Sequence, residues 1–296
     1  MSLVAFAKIK EKNIKKAIDE SLNLLSYCFD KNLQKVVIKI NACYYWDYST
    51  GKTTDPQFVA GLIDLLRERT SNKVDIALVE SDASAMKCKY AYKFLGYEKL
   101  SKEYGVRLIN LSNEKAENVT VKSNGQTRQF LVPNIIRDAD LRINVPKIKY
   151  SVRKIELTCA LKNIYGCNPY PLKFKYHPEL ADVIVALNKA MSFDLHIIDG
   201  NIVSGIAPRR LGLVMASTDP VAIDVVSAKI AGLNPNRIEY LQLAAKEGLG
   251  SLTCCAKGES VDQYRALYPK KTLKTKLKGL ANAGIVRLGL AKRLGF

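Results

Sequence analysis

The chain lacks several features that would define its class at once. Its 296 residues contain no Cys-x-x-Cys pair, which argues against a zinc ribbon or a ferredoxin-type cluster formed by this chain alone. Its seven cysteines are an odd number, which argues against a secreted disulfide framework. No apolar run approaches the roughly 20 residues that cross a bilayer, and residues 1–16 lack the apolar stretch of a secretion signal. We therefore expect a cytoplasmic protein without a transmembrane segment.

Acidic residues are scarce relative to basic ones. The chain carries 46 Lys and Arg against 28 Asp and Glu, a net charge of +18. Eight of the basic residues and no acidic residue lie in residues 270–296. A basic excess attracts anions of any kind, including phosphate metabolites, nucleic acid and lipid headgroups. The charge therefore leaves several interpretations open, which are solubility alone, nucleic-acid binding and contact with a membrane.

Short apolar strands alternate with amphipathic helices along the chain. The predicted strands are residues 36–40, 75–79, 106–111, 141–145, 195–199 and 211–215, and the predicted helices are residues 56–69, 180–191, 220–230 and 237–246. Asn124-Gly125, in the middle of residues 119–132, predicts a β-hairpin. This alternation predicts an α/β fold with a largely parallel sheet. We expect it to form one domain over residues 1–268.

Residues 269–296 are predicted to form a basic amphipathic C-terminal helical tail. Apolar residues recur there at near-helical spacing from Leu277 to Leu294, with basic residues between several of them. Four glycines interrupt the pattern, and each costs about 1 kcal/mol in a helix. The tail therefore needs a surface to fold against. We expect that surface to be the protein body or a second copy of the chain, and an anionic membrane is the alternative.

Unusual polar residues cluster in the loops that follow the predicted strands. These loops are residues 41–55, 80–82, 146–149, 199–205 and 217–219. In an open parallel sheet the carboxyl ends of the strands share one edge, and ligands bind at that edge. The coincidence predicts a single site to which all five loops contribute.

Seven short motifs follow one another in an order that is more specific than any of them alone. They are Lys39-Ile40-Asn41, Thr53-Thr54-Asp55-Pro56, Ile143-Asn144-Val145-Pro146-Lys147, residues 160–167, Tyr176-His177, Ile198-Asp199-Gly200 and residues 218–224. With these motifs the chain resembles the family called domain of unknown function 362. The resemblance runs from about Lys39 to Gly250, most of the chain.

The resemblance implies an α/β fold that is distantly similar to nickel-dependent lactate racemase. Many members of the family carry ferredoxin-like iron–sulfur modules, which implies redox work. This chain departs from those members because it lacks the cysteine run. A cluster would therefore have to be shared with a ferredoxin-like partner or across the subunits of a homo-oligomer.

Lysines near the predicted strand ends are the candidate anion-binding residues. Lys147, Lys149 and Lys162 supply point charges that suit a phosphate or a carboxylate. Burial in a cleft would give Lys162 a basic, catalytic role as well. Residues of the quoted motifs complete the candidate set for the anion, which is Lys39, Asn41, Asn144, Lys147, Lys149 and Asn163.

His177 and Asp199 are the candidates for moving a proton. A histidine titrates near neutral pH, and a carboxylate at a strand end acts as a general base or binds a cation. Glu80 and Asp82 would bind Mg²⁺ through water, and Cys167, with a second cysteine and the histidine, would make a site for a soft metal. The alternatives are helix capping for Asp82 and packing as small buried side chains for the cysteines.

Together these observations predict an enzyme that binds an anionic small molecule in a lysine-rich cleft, with redox or isomerase chemistry. The cofactor would be a divalent metal, or an iron–sulfur cluster supplied with a partner. The alternatives are a nucleic-acid-binding protein, which would need aromatic residues interleaved with basic ones on one face, and an iron–sulfur partner or scaffold protein.

Overall fold

A computed structural model describes residues 1–42, 44–70, 73–151 and 155–270 of the chain. The strands of these residues are β1 (Ser2–Lys8), β2 (Lys35–Lys39), β3 (Asp75–Glu80), β4 (Arg107–Asn110), β5 (Ala116–Ser123), β6 (Gln126–Pro133), β7 (Leu141–Asn144), β8 (Lys149–Tyr150), β9 (Leu157–Thr158), β10 (Leu195–Ser204), β11 (Pro208–Ser217) and β12 (Cys254–Gly258). The α-helices are α1 (Ile14–Leu25), α2 (Pro56–Arg69), α3 (Cys88–Phe94), α4 (Tyr97–Tyr104), α5 (Asn134–Arg137), α6 (Ala160–Ile164), α7 (Leu180–Ala190), α8 (Pro220–Ile230), α9 (Glu239–Lys246) and α10 (Val261–Leu267).

The main sheet follows the strand order β12-β1-β11-β10-β7-β2-β3-β4. From β10 to β4 every neighbouring pair on this path is parallel. β11 is antiparallel to both of its neighbours, β10 and β1, and β12 is parallel to β1. The short strands β8 and β9 pair beside β10. The predicted α/β fold with a largely parallel sheet is confirmed.

Helices cover both faces of the sheet. Helices α1 to α4 pack on one face, where Ile18, Phe58 and Leu62 belong to one buried core. Helices α6 to α9 pack on the other face around a second core. The hairpin of β5 and β6, predicted from Asn124-Gly125, pairs over eight residues and packs against α7. The sheet therefore lies in the middle of three layers, with its strand ends free to carry a site.

Two helices begin where the sequence predicts. The Asp55 carboxylate caps α2 by accepting the N–H of the residue two positions on, and Pro56 occupies the first turn. The Asp219 carboxylate caps α8 by accepting two N–H groups, and Pro220 occupies its first turn. In both helices the aspartate satisfies donors that the helix itself cannot satisfy, while proline has no N–H to lose.

The parallel strands bring three of the five predicted loops to one edge of the sheet. These are the loops after β2, β3 and β7, which leave the carboxyl ends of parallel strands. The strand expected to end at Asp199 runs on to Ser204 through an irregularity between Gly200 and Ile202, so Asp199 lies inside β10. The loop of residues 217–219 lies at the opposite edge, because β11 runs antiparallel to β10. The expectation that all five loops share one edge is therefore wrong for this last loop.

No helix in the described part of the chain is long and apolar enough to cross a membrane. The predicted amphipathic helix of the tail lies outside the described residues, which end at residue 270. The tail and the domain boundary at residue 268 therefore stay predictions.

Candidate functional site

A cavity of about 490 Å³ opens at the carboxyl edge of the parallel strands. Among the described residues, five lysines and one histidine line this cavity together with one carboxylate, and they are Lys39, Lys52, Lys149, Lys162, Lys173, His177 and Glu80. The apolar part of the wall is formed by Tyr44, Trp46, Met86, Tyr165 and Phe174, among others. The excess of lysines makes the cavity positive, so that it attracts anions.

One wall of the cavity is a buried ion pair between neighbouring strands. Lys39 ends β2 and Glu80 ends β3, and Lys39 Nζ lies 2.8 Å from Glu80 Oε2. The ammonium also donates to the carbonyl of Ile40, while the carboxylate accepts the backbone N–H groups of Ala42 and Ser81. Both oxygens of Glu80 are therefore engaged. The carboxylate neutralises Lys39, and the other lysines of the wall keep an excess of positive charge.

A second buried ion pair lies outside the cavity lining. Lys147 Nζ is 2.8 Å from Asp199 Oδ2, and the two side chains are 1% and 0% exposed. Asp199 also accepts the backbone N–H groups of Asp55 and Asn201. The sequence predicts that Lys147 binds an anion and that Asp199 moves a proton. In the structure the two side chains bind each other, and Asp199 holds the backbone at the start of α2.

A chain of hydrogen bonds links the cavity wall to the core. Lys149 Nζ donates to Asn41 Oδ1, and Asn41 Nδ2 donates to Asn163 Oδ1, each over 2.6 Å. Asn163 Nδ2 donates to Asn144 Oδ1, and Asn144 Nδ2 contacts His196 Nδ1. Burial lowers the pKa of His196 to about 4, so its ring is neutral at neutral pH. This series of hydrogen bonds fixes the orientation of each asparagine amide, because every amide both donates and accepts a hydrogen bond.

The short helix α6 carries Lys162 and Asn163 to the cavity. Its first N–H groups, those of Ala160 and Leu161, donate to the buried carboxylate of Asp224 in α8. Burial raises the pKa of Asp224 to about 7. A helix of five residues has little stability of its own. The bonds to Asp224 therefore help to determine where Lys162 stands.

Gly166 follows α6 and packs on the ion pair of Lys39 and Glu80. A Cβ atom at this position would lie 3.0 Å from Lys39 Nζ and 3.2 Å from Glu80 Oε1. The carbonyl of Gly166 accepts a hydrogen bond from the Ser81 hydroxyl. The glycine therefore lets the turn after α6 approach the ion pair more closely than a residue with a side chain would.

His177 lies on the cavity wall with an exposed side chain. Its ring packs edge to face on Phe174, with centroids 4.9 Å apart. Partial desolvation against the cavity wall and the positive charge of Lys162 lower the pKa of His177. The imidazole is therefore neutral at neutral pH and able to accept a proton. Its place beside Lys162 joins a proton acceptor to a cation that can hold an anion.

Lys173 also lines the cavity, and the sequence did not single it out as a site residue. Its Nζ donates to Ser81 Oγ over 2.5 Å and to the carbonyl of Asp82 over 2.7 Å. Burial lowers the pKa of Lys173 to about 8, with Glu80 acting against this shift and Lys39 in the same sense. The hydrogen-bond partners lie 92 and 91 residues earlier in the chain. The local signal was weak, because it consisted of one lysine between two apolar residues.

The predicted metal ligands are engaged with other partners. Glu80 pairs with Lys39. Asp82 accepts from the Lys87 ammonium and from the first N–H of α3, and Cys167 is fully buried. In the described part of the chain no group of three or more His, Cys, Asp or Glu side chains is placed to hold a metal ion. Among the residues that the structure describes, Glu80, Asp82 and Cys167 are therefore not grouped as metal ligands.

The structure divides the predicted site residues into two groups. The residues that line the cavity are Lys39, Asn41, Glu80, Lys149, Lys162, Asn163 and His177. The residues that are buried outside its lining are Asp82, Asn144, Lys147, Cys167 and Asp199. The first group comes from five separate segments of the chain, which the fold brings together.

The fold and the cavity define an α/β protein with a lysine-lined cleft at the carboxyl edge of its sheet. The chain belongs to the family described as Domain of unknown function (DUF362), whose model matches residues 36–229. The family predicted from the ordered motifs is therefore confirmed.

Similar proteins of known sequence or structure extend this assignment. The thylakoid-associated protein sll1697 of Synechocystis sp. is 36% identical over 126 residues, and the match covers 38% of this chain and 38% of that protein. The lactate racemase apoprotein from Thermoanaerobacterium thermosaccharolyticum is similar with a TM-score of 0.51 and 12% sequence identity. This similarity covers 79% of the chain and 58% of the racemase chain. It shows a shared fold, which the family resemblance implied.

Proposed function

We propose that this protein is an enzyme that binds a small anionic molecule in the lysine-lined cavity and moves a proton on it. The observation that carries the proposal is the charge of the wall, where five lysines face one carboxylate that is already paired with Lys39. Lysines that serve only solubility lie on the outer surface, whereas Lys39, Lys149 and Lys173 are buried. Glu80 already neutralises Lys39, and a bound anion would balance the positive charge that the other lysines add to the wall.

The size and the wall of the cavity indicate the kind of ligand. About 490 Å³ suits a small metabolite, since ligand sites occupy roughly 300–1,000 Å³. The lysines would hold a carboxylate or a phosphate group. Trp46 and Phe174 would contact the apolar part of the same molecule. A small organic acid or an organic phosphate meets both requirements.

The proton would move through His177. Its neutral imidazole is the acceptor, and the Lys162 ammonium beside it would stabilise negative charge that develops on the substrate. Removal and return of a proton on a bound acid is isomerase-type chemistry, one of the two reaction classes expected from the family resemblance. Asp199, the other candidate for this step, would act as the buried partner of Lys147 that keeps the strand end in place.

Replacement of Lys162 by alanine is expected to weaken binding of inorganic phosphate or sulfate about tenfold or more. The reason is that the variant removes a full positive charge from the cavity wall. Isothermal titration calorimetry with phosphate measures the effect, and a thermal melt shows whether the variant stays folded. A variant that fails to fold would assign Lys162 to the stability of the protein instead.

Lys99→Ala is the matched control, because Lys99 is exposed in α4 outside the cavity and its loss changes the net charge equally. The control should bind phosphate as the wild type does. The chain has only two histidines, so a proton NMR titration follows His177 directly. Its pKa should rise in Lys162→Ala, because the cation that lowers it is gone. Unchanged phosphate affinity in a folded Lys162→Ala protein would refute the assignment.

Binding of single-stranded nucleic acid is the second candidate function. Three exposed aromatic residues line the cavity and form an aromatic rim, and they are Tyr44, Trp46 and Phe174. Tyr45, Tyr90, Phe94 and Tyr170 are exposed as well. Lysines lie over several of these rings, at 3.4 Å from the Trp46 centroid and 3.6 Å from the Tyr170 centroid. Aromatic faces between cations are the pattern that stacks bases and holds phosphates.

This second candidate predicts that a single-stranded oligonucleotide quenches the fluorescence of Trp46, the single tryptophan of the chain. Trp46→Ala should weaken binding by about 1–3 kcal/mol in fluorescence anisotropy, because one stacking platform is lost. Affinity should fall steeply with salt. Leu131→Ala is the control, since Leu131 is as exposed as Trp46 but lies in β6 outside the aromatic rim. If the oligonucleotide does not quench Trp46, or if both variants weaken binding equally, nucleic-acid binding is refuted and small-molecule binding remains as the candidate function.

The cytoplasmic location, a homo-oligomer and a ferredoxin-like partner are further parts of the proposal. The name of the Synechocystis relative associates that protein with thylakoids. We propose that any such association of this chain is peripheral and depends on its basic charge. Cell fractionation distinguishes a cytoplasmic protein from one that is bound peripherally to a membrane. A salt wash releases the peripheral protein from the membrane fraction, because salt screens its charge.

A further inference from the structure

Lys173 lines the cavity, where uncharged groups hold its side chain. Its side chain is buried, and its two hydrogen bonds go to neutral oxygens, the Ser81 hydroxyl and the Asp82 carbonyl. An uncharged amine has two N–H groups and one lone pair. These two acceptors would satisfy both N–H groups of the uncharged amine, and the lone pair would remain for a bond to a ligand.

The groups around Lys173 support the uncharged form. The charged neighbours on the packed elements are Lys39, Glu80 and Asp82, and Cys167 is a further titratable neighbour. Lys39 and Glu80 form an ion pair, so their charges act on the pKa of Lys173 in opposite senses, while Cys167 and Asp82 act to raise it. Burial is the largest influence and lowers the pKa of Lys173 to about 8. About a tenth of the amine is therefore uncharged at pH 7, far more than for an ordinary lysine.

We propose that Lys173 is a nucleophile that forms a Schiff base with the carbonyl group of a small oxo acid. The inference rests on the proposed function, since the other lysines of the cavity would hold the carboxylate of the same molecule. An amine in a desolvated pocket next to other cations is the usual setting of a Schiff-base lysine. The carboxylate of the oxo acid would bind to the other lysines, and its carbonyl carbon would then lie next to Lys173 Nζ.

The step balances without an oxidant or a reductant. The Nζ lone pair forms a bond to the carbonyl carbon, the carbonyl oxygen takes a proton, and the nitrogen loses one, which gives a carbinolamine. The carbinolamine then loses its hydroxyl group and the remaining N–H proton as water, and a C=N bond replaces the C=O bond. Ser81 Oγ, 2.5 Å from Nζ, would pass the proton between nitrogen and oxygen when its hydroxyl turns away from the carbonyl of Gly166.

Trapping with borohydride tests the proposal on the full chain. The protein is incubated with pyruvate, treated with sodium borohydride, digested and mapped by mass spectrometry. Reduction of the C=N bond fixes one carboxyethyl group on the amine that formed it. We expect the adduct at Lys173 to exceed that at exposed Lys175 on the order of a hundredfold near neutral pH, because an ordinary lysine is almost fully protonated there.

Lys175 is an internal control, since it lies in the same 3₁₀ helix (Lys173–Glu179) as Lys173 but is exposed. Lys173→Arg should lose the trapped adduct and Lys175→Arg should keep it. The wild-type map decides the question even if Lys173→Arg does not fold. No adduct, or adducts spread evenly over surface lysines, would overturn the Schiff base. Calorimetry with pyruvate in the absence of borohydride distinguishes two kinds of failure. If pyruvate binds but no adduct forms, only the Schiff base is refuted. If neither pyruvate nor any other small acid binds, the proposed function is refuted as well.

Discussion

Replacement of Lys147 by methionine should lower the free energy of unfolding by about 3–5 kcal/mol. The ammonium lies 2.8 Å from the Asp199 carboxylate, and neither side chain is more than 1% exposed. Methionine fills a similar volume but has no charge, so the carboxylate would remain buried without its partner. Urea denaturation followed by circular dichroism measures the loss. A large effect would mean that Lys147 serves the fold and not the ligand.

Lys87→Met is the matched control, because Lys87 also pairs with an aspartate, Asp82, but its side chain is 62% exposed. Exposed pairs contribute about 0–1 kcal/mol, so this variant should stay close to the wild type. A loss below about 1 kcal/mol for Lys147→Met, or equal losses in both variants, would contradict the account of the pair.

The helix starts and the hairpin turn were predicted correctly because short local sequence patterns determine them. Asp-Pro pairs mark the starts of α2 and α8, where the carboxylate accepts the first free N–H groups of the helix. Asn124-Gly125 marks the turn between β5 and β6, where both residues take positive φ angles. Each pattern contains its own physical cause within a few residues, so no knowledge of distant contacts was needed.

The direction of the strands could not be predicted in the same way. The apolar run in β11 looks the same whichever way the strand points, yet β11 folds back on β10 and takes the loop of residues 217–219 to the opposite edge. β1 pairs with β11 and β12, which come from the other end of the chain. Such pairings depend on the whole chain, because a strand is completed by whichever neighbour satisfies its hydrogen bonds.

Lys147 and Lys149 show the same limit within the site. Both residues follow β7, and the sequence analysis predicted that both bind an anion. Lys149 reaches the cavity wall and donates to Asn41, whereas Lys147 is buried against Asp199 of β10. Lys173 was missed for a related reason, since its burial depends on the loop after β3. The residue types predicted an anion site, and only the packing showed which lysines line the cavity.

Replacement of Asp224 by alanine is expected to cost about 3 kcal/mol or more and to weaken phosphate binding as well. The buried carboxylate accepts the N–H of Ala160 over 2.6 Å, the N–H of Leu161 over 3.3 Å and the hydroxyl of Tyr240 over 3.3 Å. Alanine would leave these donors without this acceptor in the core, at about 1–3 kcal/mol each. Two of the donors begin α6, so Lys162 would lose its fixed position. Urea denaturation and phosphate calorimetry measure the two losses.

Asp224→Asn is the matched control, because the amide keeps the shape and one acceptor oxygen but does not titrate. Burial raises the pKa of Asp224 from 3.8 to about 7, so between these values the folded protein binds more protons than the unfolded chain. Ionisation of Asp224 therefore makes the wild type less stable as the pH rises from about 4 to about 7. Asp224→Asn should lack this pH dependence, because its amide does not ionise. We expect the stability of the wild type relative to Asp224→Asn to fall between about pH 5 and about pH 7. A constant difference would show that Asp224 does not titrate in the fold, and an alanine variant with normal stability and phosphate affinity would show that it does not anchor α6.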